Sequence, residues 1–161
     1  MPPGSGPRHF KFHPNGKFAY VINELNMSVT AFRYDAAAGA LDPIQAIETV
    51  PPAEIETFCS GSEIRVHPSG KFVYAANRGH DTVTAFRCDP ATGMLEFIER
   101  EPIRGSWPRN FNLDPTGKWL IAVSANSNTL AVFQIDQEKG NLVFNLKMAE
   151  VPSPICVLFQ P

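Results

Sequence analysis

The sequence predicts an all-β protein built from repeated four-stranded antiparallel sheets. Three observations support this prediction. One sequence unit recurs three times in the chain of 161 residues. Each copy divides into four short runs of apolar or alternating residues separated by turn residues, and no window carries the 3.6-residue apolar period of an amphipathic helix. Short strands with turn signals at regular spacing are typical of all-β architectures.

The repeat is marked by a short turn motif. HPNGK at 13–17, HPSGK at 67–71 and DPTGK at 114–118 are its three copies, 54 and 47 residues apart. A phenylalanine follows 19 residues after the start of each motif and a glycine 26 residues after it: Phe32, Phe86, Phe133, Gly39, Gly93 and Gly140. Phe159-Gln160-Pro161 matches Phe12-His13-Pro14, so the pattern predicts three complete units and the start of a fourth.

Each unit is predicted to contain four strands. The first is short and alternating, and the turn motif that follows has a proline to fix φ and a glycine available for positive φ. The second is apolar on both sides, at 18–22, 72–76 and 119–123, which indicates a sheet covered on both faces. The third is rich in β-branched and aromatic residues, and the fourth begins at a leucine in every copy.

Repeated four-stranded units of this length are the sequence pattern of β-propeller blades. We therefore predict a partial β-propeller over 1–161, with blades at approximately 7–60, 61–107 and 108–152 and one extra strand at 153–161. A generic antiparallel sandwich is the alternative. Propellers have 4–8 blades, so this chain is too short to close a ring.

The two ends of the predicted blades repeat with different strictness. The end with the turn motif is uniform, and His13 and His67 there are predicted to be structural. Because Asp114 replaces them in the third copy, we expect this position to need only a small group that bonds the turn. The other end breaks the repeat: His9, Glu63 and Asn110 are equivalent in position but differ chemically.

The end of the blades at which the three copies differ is the predicted functional end. The first strand of a propeller blade lines the central channel, so His9, Glu63 and Asn110 are expected to converge from adjacent blades. Arg8 and Arg109 lie beside them in the sequence. Guanidinium groups bind phosphate or carboxylate through paired hydrogen bonds, and an imidazole with a carboxylate can act as acid and base.

Arg78 and His80, which lie at this end, could have structural roles instead of functional ones. Arg78 could form a salt bridge with Asp81 on its turn. His80 could form a structural hydrogen-bonded pair with the same Asp81.

Cys59 has acidic neighbours in the sequence, which do not favour a thiolate, so it is predicted to be an inert thiol.

Composition and motif searches exclude several classes of protein. A formal net charge of −2 is too balanced for a nucleic-acid-binding surface, and no apolar stretch is long enough to span a membrane. The chain has no phosphate-binding loop, dinucleotide fingerprint, nucleophile elbow or zinc motif, so we expect no cofactor and no metal. Cys59, Cys88 and Cys156 lack metal-ligand spacing and are expected to be free thiols in the cytoplasm.

Several segments resemble the cytosolic lactonase family with a seven-bladed β-propeller. They are GPRHFKFHPNGKFAYVINEL, SEIRVHPSGKFVYAANRGHDTVTAF, PRNFNLDPTGKWLIAV and VPSPICVLFQP. The family includes 6-phosphogluconolactonases of the propeller type and carboxy-cis,cis-muconate cyclases, and the similarity is closer to the former. The resemblance implies hydrolysis of 6-phospho-D-glucono-1,5-lactone to 6-phosphogluconate in the pentose phosphate pathway.

The resemblance also implies roles for individual residues, without a metal. The catalytic set is His9, Glu63 and Arg109, and the substrate-binding set is Arg8, Glu24, Arg78, His80 and Asn110. In a mechanism consistent with these roles, Glu63 or His9 activates water against the lactone carbonyl. One arginine then stabilises the oxyanion, and the others hold the 6-phosphate.

The length of the chain leaves its partners and its activity open. Three blades and one strand are about half of a seven-bladed ring, and open blade faces would expose apolar patches that drive association. We therefore expect self-association or pairing with missing blades; the chain is either the C-terminal half of a longer protein or one of two copies that pair. It is expected to be a lactonase, or a non-catalytic half of one. The alternatives are a muconate-lactonising cyclase and a non-catalytic binding scaffold, which the fold alone does not separate.

Overall fold

The computed structural model describes residues 1–160 and contains three four-stranded antiparallel sheets. In each sheet the spatial order of the strands follows the chain. The strands are β1 (Pro7–Phe12), β2 (Phe18–Asn23), β3 (Ser28–Asp35), β4 (Ala40–Glu48), β5 (Ser60–Val66), β6 (Phe72–Arg78), β7 (Thr82–Cys88), β8 (Leu95–Pro102), β9 (Pro108–Leu113), β10 (Trp119–Ser124), β11 (Thr129–Ile135) and β12 (Leu142–Glu150). A single-turn 3-10 helix, Pro52–Glu54, lies between the first two sheets. The all-β prediction of three four-stranded blades is confirmed.

The turn motif folds in the way its sequence predicts. In the first copy the His13 N–H donates to the Phe18 carbonyl at 2.9 Å, and the Gly16 N–H donates to the His13 carbonyl at 2.9 Å. Gly16 has a φ of 69°, in the left-handed region where glycine carries no steric cost. The same two hydrogen bonds form in the other copies, so each motif closes the hairpin between the first and second strands of its blade.

The blades pack face to face, with their first strands β1, β5 and β9 side by side. One apolar core lies between the first two sheets and includes Tyr20, Ile22 and Phe86. A second core lies between the second and third sheets and includes Tyr74 and Phe133. The strand β6 of the second sheet is buried along its whole length, and its sheet has a neighbour on each face; β2 is equally buried although its sheet has a neighbour on one face only.

Side chains of one blade also bond to the backbone of the next. The Tyr20 hydroxyl donates to the Gly93 carbonyl at 3.0 Å, and the Tyr74 hydroxyl donates to the Gly140 carbonyl at 2.9 Å. The third blade has Ile121 at the corresponding position. The second and third blades each turn a glycine carbonyl toward the tyrosine of the preceding blade, so the same bond forms in both interfaces.

The turn histidines form a second set of bonds between blades. The His13 Nδ1 accepts a hydrogen bond from the Asn15 N–H at 3.1 Å, so its proton is on Nε2, which lies 2.9 Å from the Gly70 carbonyl of the next blade. His67 bonds the Gly117 carbonyl in the same way, at 2.7 Å. The structural role of both residues is therefore supported, but the expectation of a small group is wrong because an imidazole is needed to reach the next blade.

The outer faces of the first and third sheets have no sheet packed on them within residues 1–160. Phe12 lies on the outer face of the first sheet, contacts Tyr34 at 4.9 Å between ring centroids, and is 52% exposed. Trp119 and Ile121 lie on the outer face of the third sheet, since the intervening Leu120 points into the core. These two faces are where a ring would continue.

The segment predicted as an extra strand lies against β9. The Val157 N–H donates to the Asn110 Oδ1 at 3.0 Å, and the Asn112 Nδ2 donates to the Val157 carbonyl at 3.1 Å. The segment is thus held by two asparagine side chains rather than by a backbone ladder. Pro161, the last residue of the predicted strand, lies outside the described residues.

Within residues 1–160, the model has no helix with the length and apolar character needed to cross a membrane. All three cysteines are free.

Candidate active site

The unequal residues of the first strands do converge. His9, Glu63 and Asn110 form a continuous hydrogen-bonded row across three blades, called the polar row below. The His9 Nδ1 lies 2.9 Å from the Glu63 Oε1, and the Asn110 Nδ2 donates to the Glu63 Oε2. Each residue bonds its counterpart in the next blade because adjacent first strands lie side by side. This geometry agrees with the expectation from the repeat.

A break in strand pairing occurs at this point in every blade. The register of β1 skips Arg8, that of β9 skips Arg109, and that of β5 shifts between Gly61 and Ile64. A β-bulge re-aims the side chains beside it, and bulges are frequent next to active sites. The bulged positions therefore place two arginines next to the polar row.

Glu63 is the most buried member of the row, with a side chain 2% exposed. Its Oε1 accepts from His9 and from the Ile64 N–H at 3.0 Å. Its Oε2 accepts from Asn110 and from the Arg65 Nη2 at 3.3 Å. A carboxylate has about four acceptor positions, and these four donors use all of them. Glu63 is thus positioned to hold its neighbours rather than to take a proton from water.

His9 is the accessible member of the row, with 36% of its side chain exposed. Its Nδ1 lies 2.9 Å from the Glu63 Oε1, and the Arg8 Nη1 lies over the imidazole ring, 3.5 Å from Nδ1 and 3.1 Å from Nε2. Because a carboxylate accepts, the Glu63 contact places the proton on Nδ1 and leaves a lone pair on Nε2, the tautomer that a carboxylate-held histidine base requires.

Two of the arginines are held by one carboxylate. The Arg78 Nη2 contacts the Glu24 Oε1 and donates to the Gly61 carbonyl at 2.8 Å. The Arg8 Nε lies 3.7 Å from the Glu24 Oε2. The Arg78 guanidinium also lies over the ring of Trp107, 5.8 Å from its centroid. The alternative of an Arg78–Asp81 salt bridge is therefore wrong; Arg78 is buried with its Nη2 bonded, while its Nε has no hydrogen-bond partner in residues 1–160.

Arg109 is the available guanidinium of this cluster. It is exposed, and its side chain forms no hydrogen bond with any residue from 1 to 160. Burial lowers the pKa of Arg8, and the nearby charges of Arg78 and Arg109 lower it further, partly offset by Glu24 and Glu63. Three cations with two carboxylates leave a local excess of positive charge that favours an anionic ligand.

His80 lies apart from the polar row. Its Nδ1 is 2.9 Å from the Thr82 hydroxyl and its Nε2 is 3.8 Å from the Glu54 Oε2. Asp81 bonds instead to the backbone N–H groups of Gly79 and Trp107, at 3.2 and 2.8 Å. The proposed His80–Asp81 pair is thus wrong, and His80 has no hydrogen bond with the other predicted site residues.

Cys59 and His80 share a separate cavity of about 280 Å³. Its other lining residues are Glu54, Glu56, Thr57 and Gly79. Burial and the charge of Asp81 raise the pKa of the Cys59 thiol. A raised pKa keeps the thiol protonated, which agrees with the prediction of an inert cysteine.

The family model described as "Lactonase, 7-bladed beta-propeller" matches residues 1–159. The chain belongs to this family. A 6-phosphogluconolactonase from Bacillus subtilis is 41% identical over 157 residues, which cover 98% of this chain and 45% of that protein.

Two solved structures extend this family assignment. A protein from Lactobacillus plantarum superposes with a TM-score of 0.91 at 31% identity, covering 97% of this chain and 45% of that one. The periplasmic gluconolactonase of Pseudomonas aeruginosa superposes with a TM-score of 0.89 at 35% identity, covering 96% and 42%. This lactonase-family chain thus spans about half the length of the relatives it matches.

Sequence reasoning missed two cations of the site in this family member. Lys11 and Arg65, called the basic pair below, follow the first two members of the polar row by two residues in their strands. The Arg65 Nη2 reaches the Glu63 carboxylate. The signal was present in the sequence, because the third counterpart, Asn112, also breaks the repeat chemically.

Proposed function

We propose that this chain carries the catalytic residues of a lactonase that hydrolyses 6-phospho-D-glucono-1,5-lactone to 6-phosphogluconate, a step of the pentose phosphate pathway. The observation that carries this proposal is the His9–Glu63 pair beside an unoccupied arginine. A carboxylate-held imidazole can act as the base and a free guanidinium as the oxyanion donor in ester hydrolysis without a metal. The family, and the activity named for the Bacillus relative, support the same reaction.

His9 is the proposed general base. Its Nε2 lone pair takes a proton from a water molecule as the water oxygen attacks the lactone carbonyl carbon. The Arg8 Nη1 lies over the imidazole ring and not in line with this lone pair, so Arg8 does not occupy it. The ring C–O bond then breaks, and His9 returns the proton to the departing ring oxygen, so the protons balance.

Glu63 and Arg109 are proposed to support this step in different ways. Glu63 keeps the imidazole in one tautomer and stabilises the imidazolium that forms, as the third member of a hydrolase triad does. Arg109 stabilises the negative charge that develops on the carbonyl oxygen, since its guanidinium is exposed and unbonded. Asn110 positions Glu63 rather than touching substrate, because its amide is already bonded at both ends.

Hydrolysis assays on His9→Ala, Glu63→Gln and Arg109→Ala test this proposal. Each is expected to lower kcat at least about 100-fold, the usual cost of removing a base or an oxyanion donor. Arg33→Ala, which removes an exposed arginine at the other end of the first blade, serves as the matched control and is expected to retain full activity. The double variant of His9 and Glu63 should be little worse than His9→Ala, because the two act as a unit.

The same assays separate the alternative functions. Activity that survives all three substitutions would remove the polar row as the active site. Turnover of a carboxymuconate but not of the sugar lactone would favour the cyclase. Turnover of neither substrate would favour a non-catalytic scaffold.

We also infer that the chain associates through the open faces of its first and third sheets. Exposed Phe12 and half-buried Trp119 mark these faces, and apolar patches on sheet faces drive association. Sedimentation should show a dimer or a larger species, and a stable monomer would contradict this inference. A cytoplasmic location remains a prediction.

A further inference from the structure

The basic pair lies on the same side of its strands as the polar row. Successive side chains of a strand alternate between faces, so Lys11 shares a face with His9. The rings of Phe10 and Phe12, on either side of Lys11, contact each other on the opposite face at 4.8 Å between centroids. Arg65 shares the face of Glu63 because its Nη2 bonds that carboxylate at 3.3 Å.

The basic pair has donors to spare. The Arg65 Nε donates to the Phe111 carbonyl of the next blade at 3.3 Å, which fixes the guanidinium while leaving its Nη1 without a partner in residues 1–160. The Lys11 ammonium forms no hydrogen bond with any described residue. The neighbouring Glu63 carboxylate already accepts four hydrogen bonds, so it cannot take another donor without losing one.

The surroundings of Lys11 disfavour its positive charge. Burial lowers the pKa of the Lys11 amine, Arg65 lowers it further, and Glu63 offsets only part of the effect. A half-buried lysine beside a fixed arginine is an unfavourable arrangement without an anion, since like charges repel more strongly out of water. A bound phosphate would relieve both the repulsion and the lost hydration.

We propose that Lys11 and Arg65 form a phosphate subsite for the lactone substrate, one step along the channel wall from the polar row. The proposal rests on the lactonase function and adds the part of the site that selects a phosphorylated substrate. Two residues along a strand span about 7 Å. This offset matches a six-carbon lactone whose carbonyl lies at His9 and whose last carbon carries the phosphate. Arg78 is less accessible for this purpose, because its side chain is only 7% exposed and its Nη2 is held by Glu24 and the Gly61 carbonyl.

Comparing two substrates tests the subsite. Lys11→Met is expected to lower kcat/KM for 6-phosphogluconolactone about tenfold or more, the usual loss for one charged hydrogen bond, with glucono-1,5-lactone turnover within twofold of wild type. Lys17→Met is the matched control, because it removes the same charge from an exposed turn at the other end of the strand. An equal loss on both substrates would overturn the proposal, and so would no loss on either.

A titration with inorganic phosphate tests the same subsite without relying on turnover. Phosphorus NMR line broadening should show binding to wild type and to Lys17→Met, and weaker binding to Lys11→Met. Circular dichroism establishes that each variant is folded. Equal phosphate binding by wild type and Lys11→Met would overturn the subsite. If neither lactone is hydrolysed but Lys11→Met still loses phosphate, the lactonase proposal fails and the anion site stands.

Discussion

His9 and His13 lie four residues apart in the chain, yet they meet different kinds of partner. His13 donates to the Gly70 carbonyl, a backbone atom that recurs in every blade. His9 bonds the carboxylate of Glu63, a side chain present in one blade only. A fold held together through backbone atoms can repeat one residue in blade after blade. A site made from side chains cannot, because each blade has to contribute a different chemical group.

The same contrast separates the two ends of the molecule. At the turn end, His67 repeats the bond of His13, and the repeated tyrosine bonds lie in the same interfaces. At the other end, each first strand has a bulge and each blade supplies a different residue to the polar row. Stability is thus concentrated where the sequence repeats, and chemistry where it does not.

The largest expected effect on stability comes from disturbing the His13–Gly70 hydrogen bond between blades. Alanine substitutions at two matched glycines, Gly70 and Gly16, test it. Gly70 and Gly16 have φ values of 75° and 69°, so alanine pays the same backbone cost at both, about 1 kcal/mol. A Cβ on Gly70 would lie 2.6 Å from the His13 ring, whereas a Cβ on Gly16 meets nothing within 4 Å. Because His13 must move and lose its hydrogen bond, we expect Gly70→Ala to cost about 3 kcal/mol and Gly16→Ala about 1 kcal/mol.

Urea unfolding measures both values on one scale. Equal losses for the two variants would show that the His13 contact adds nothing to stability. The claim that the repeated bonds at the turn end stabilise the fold would then be wrong.

A smaller loss of stability is expected when His67 of the second blade is replaced by aspartate, the residue that the third blade has at the same position. His67→Asp replaces a buried imidazole that donates to the Gly117 carbonyl with a group that can only accept when ionised. We expect a loss of about 2 kcal/mol, since the carbonyl loses its donor and a carboxylate is placed facing it. Thermal unfolding checks the loss, and lactone hydrolysis below the transition should be unchanged because His67 is far along the strand from the polar row.

The repeat made the architecture and the polar row predictable from sequence. The turn motif sets the register, and counting back four residues from it in each copy gives His9, Glu63 and Asn110. Counting back two residues would have identified Lys11 and Arg65 in the same way. What repeats in position is predictable even where the residues differ.

Contacts that cross between blades without a repeat were not predictable. The alternative partner for Arg78 suggested by the sequence is nearby Asp81, but Arg78 bonds Glu24 of the preceding blade. The role of an imidazole at the turn was also missed, since its partner is the Gly70 carbonyl, which lies 57 residues away in the sequence. Such partners depend on the angle between neighbouring sheets, which local sequence patterns do not encode.

The smallest expected effect concerns the stability cost of the basic pair. Burial and Arg65 lower the pKa of Lys11 in the folded state, so the unfolded chain holds this proton more tightly. The charged Lys11 therefore destabilises the fold at neutral pH; this cost begins to fall as the pH rises through the lowered pKa of the folded state and is gone above the ordinary lysine pKa of the unfolded chain. Lys11→Met is expected to stabilise the protein by up to about 1 kcal/mol at pH 7, a modest value because the side chain is partly solvated. Urea unfolding at pH 7 without phosphate, with Lys17→Met as control, measures it. A destabilised Lys11→Met would mean that the lysine serves the fold, whereas a stabilised variant with weaker phosphate binding would place Lys11 among residues kept at the expense of stability.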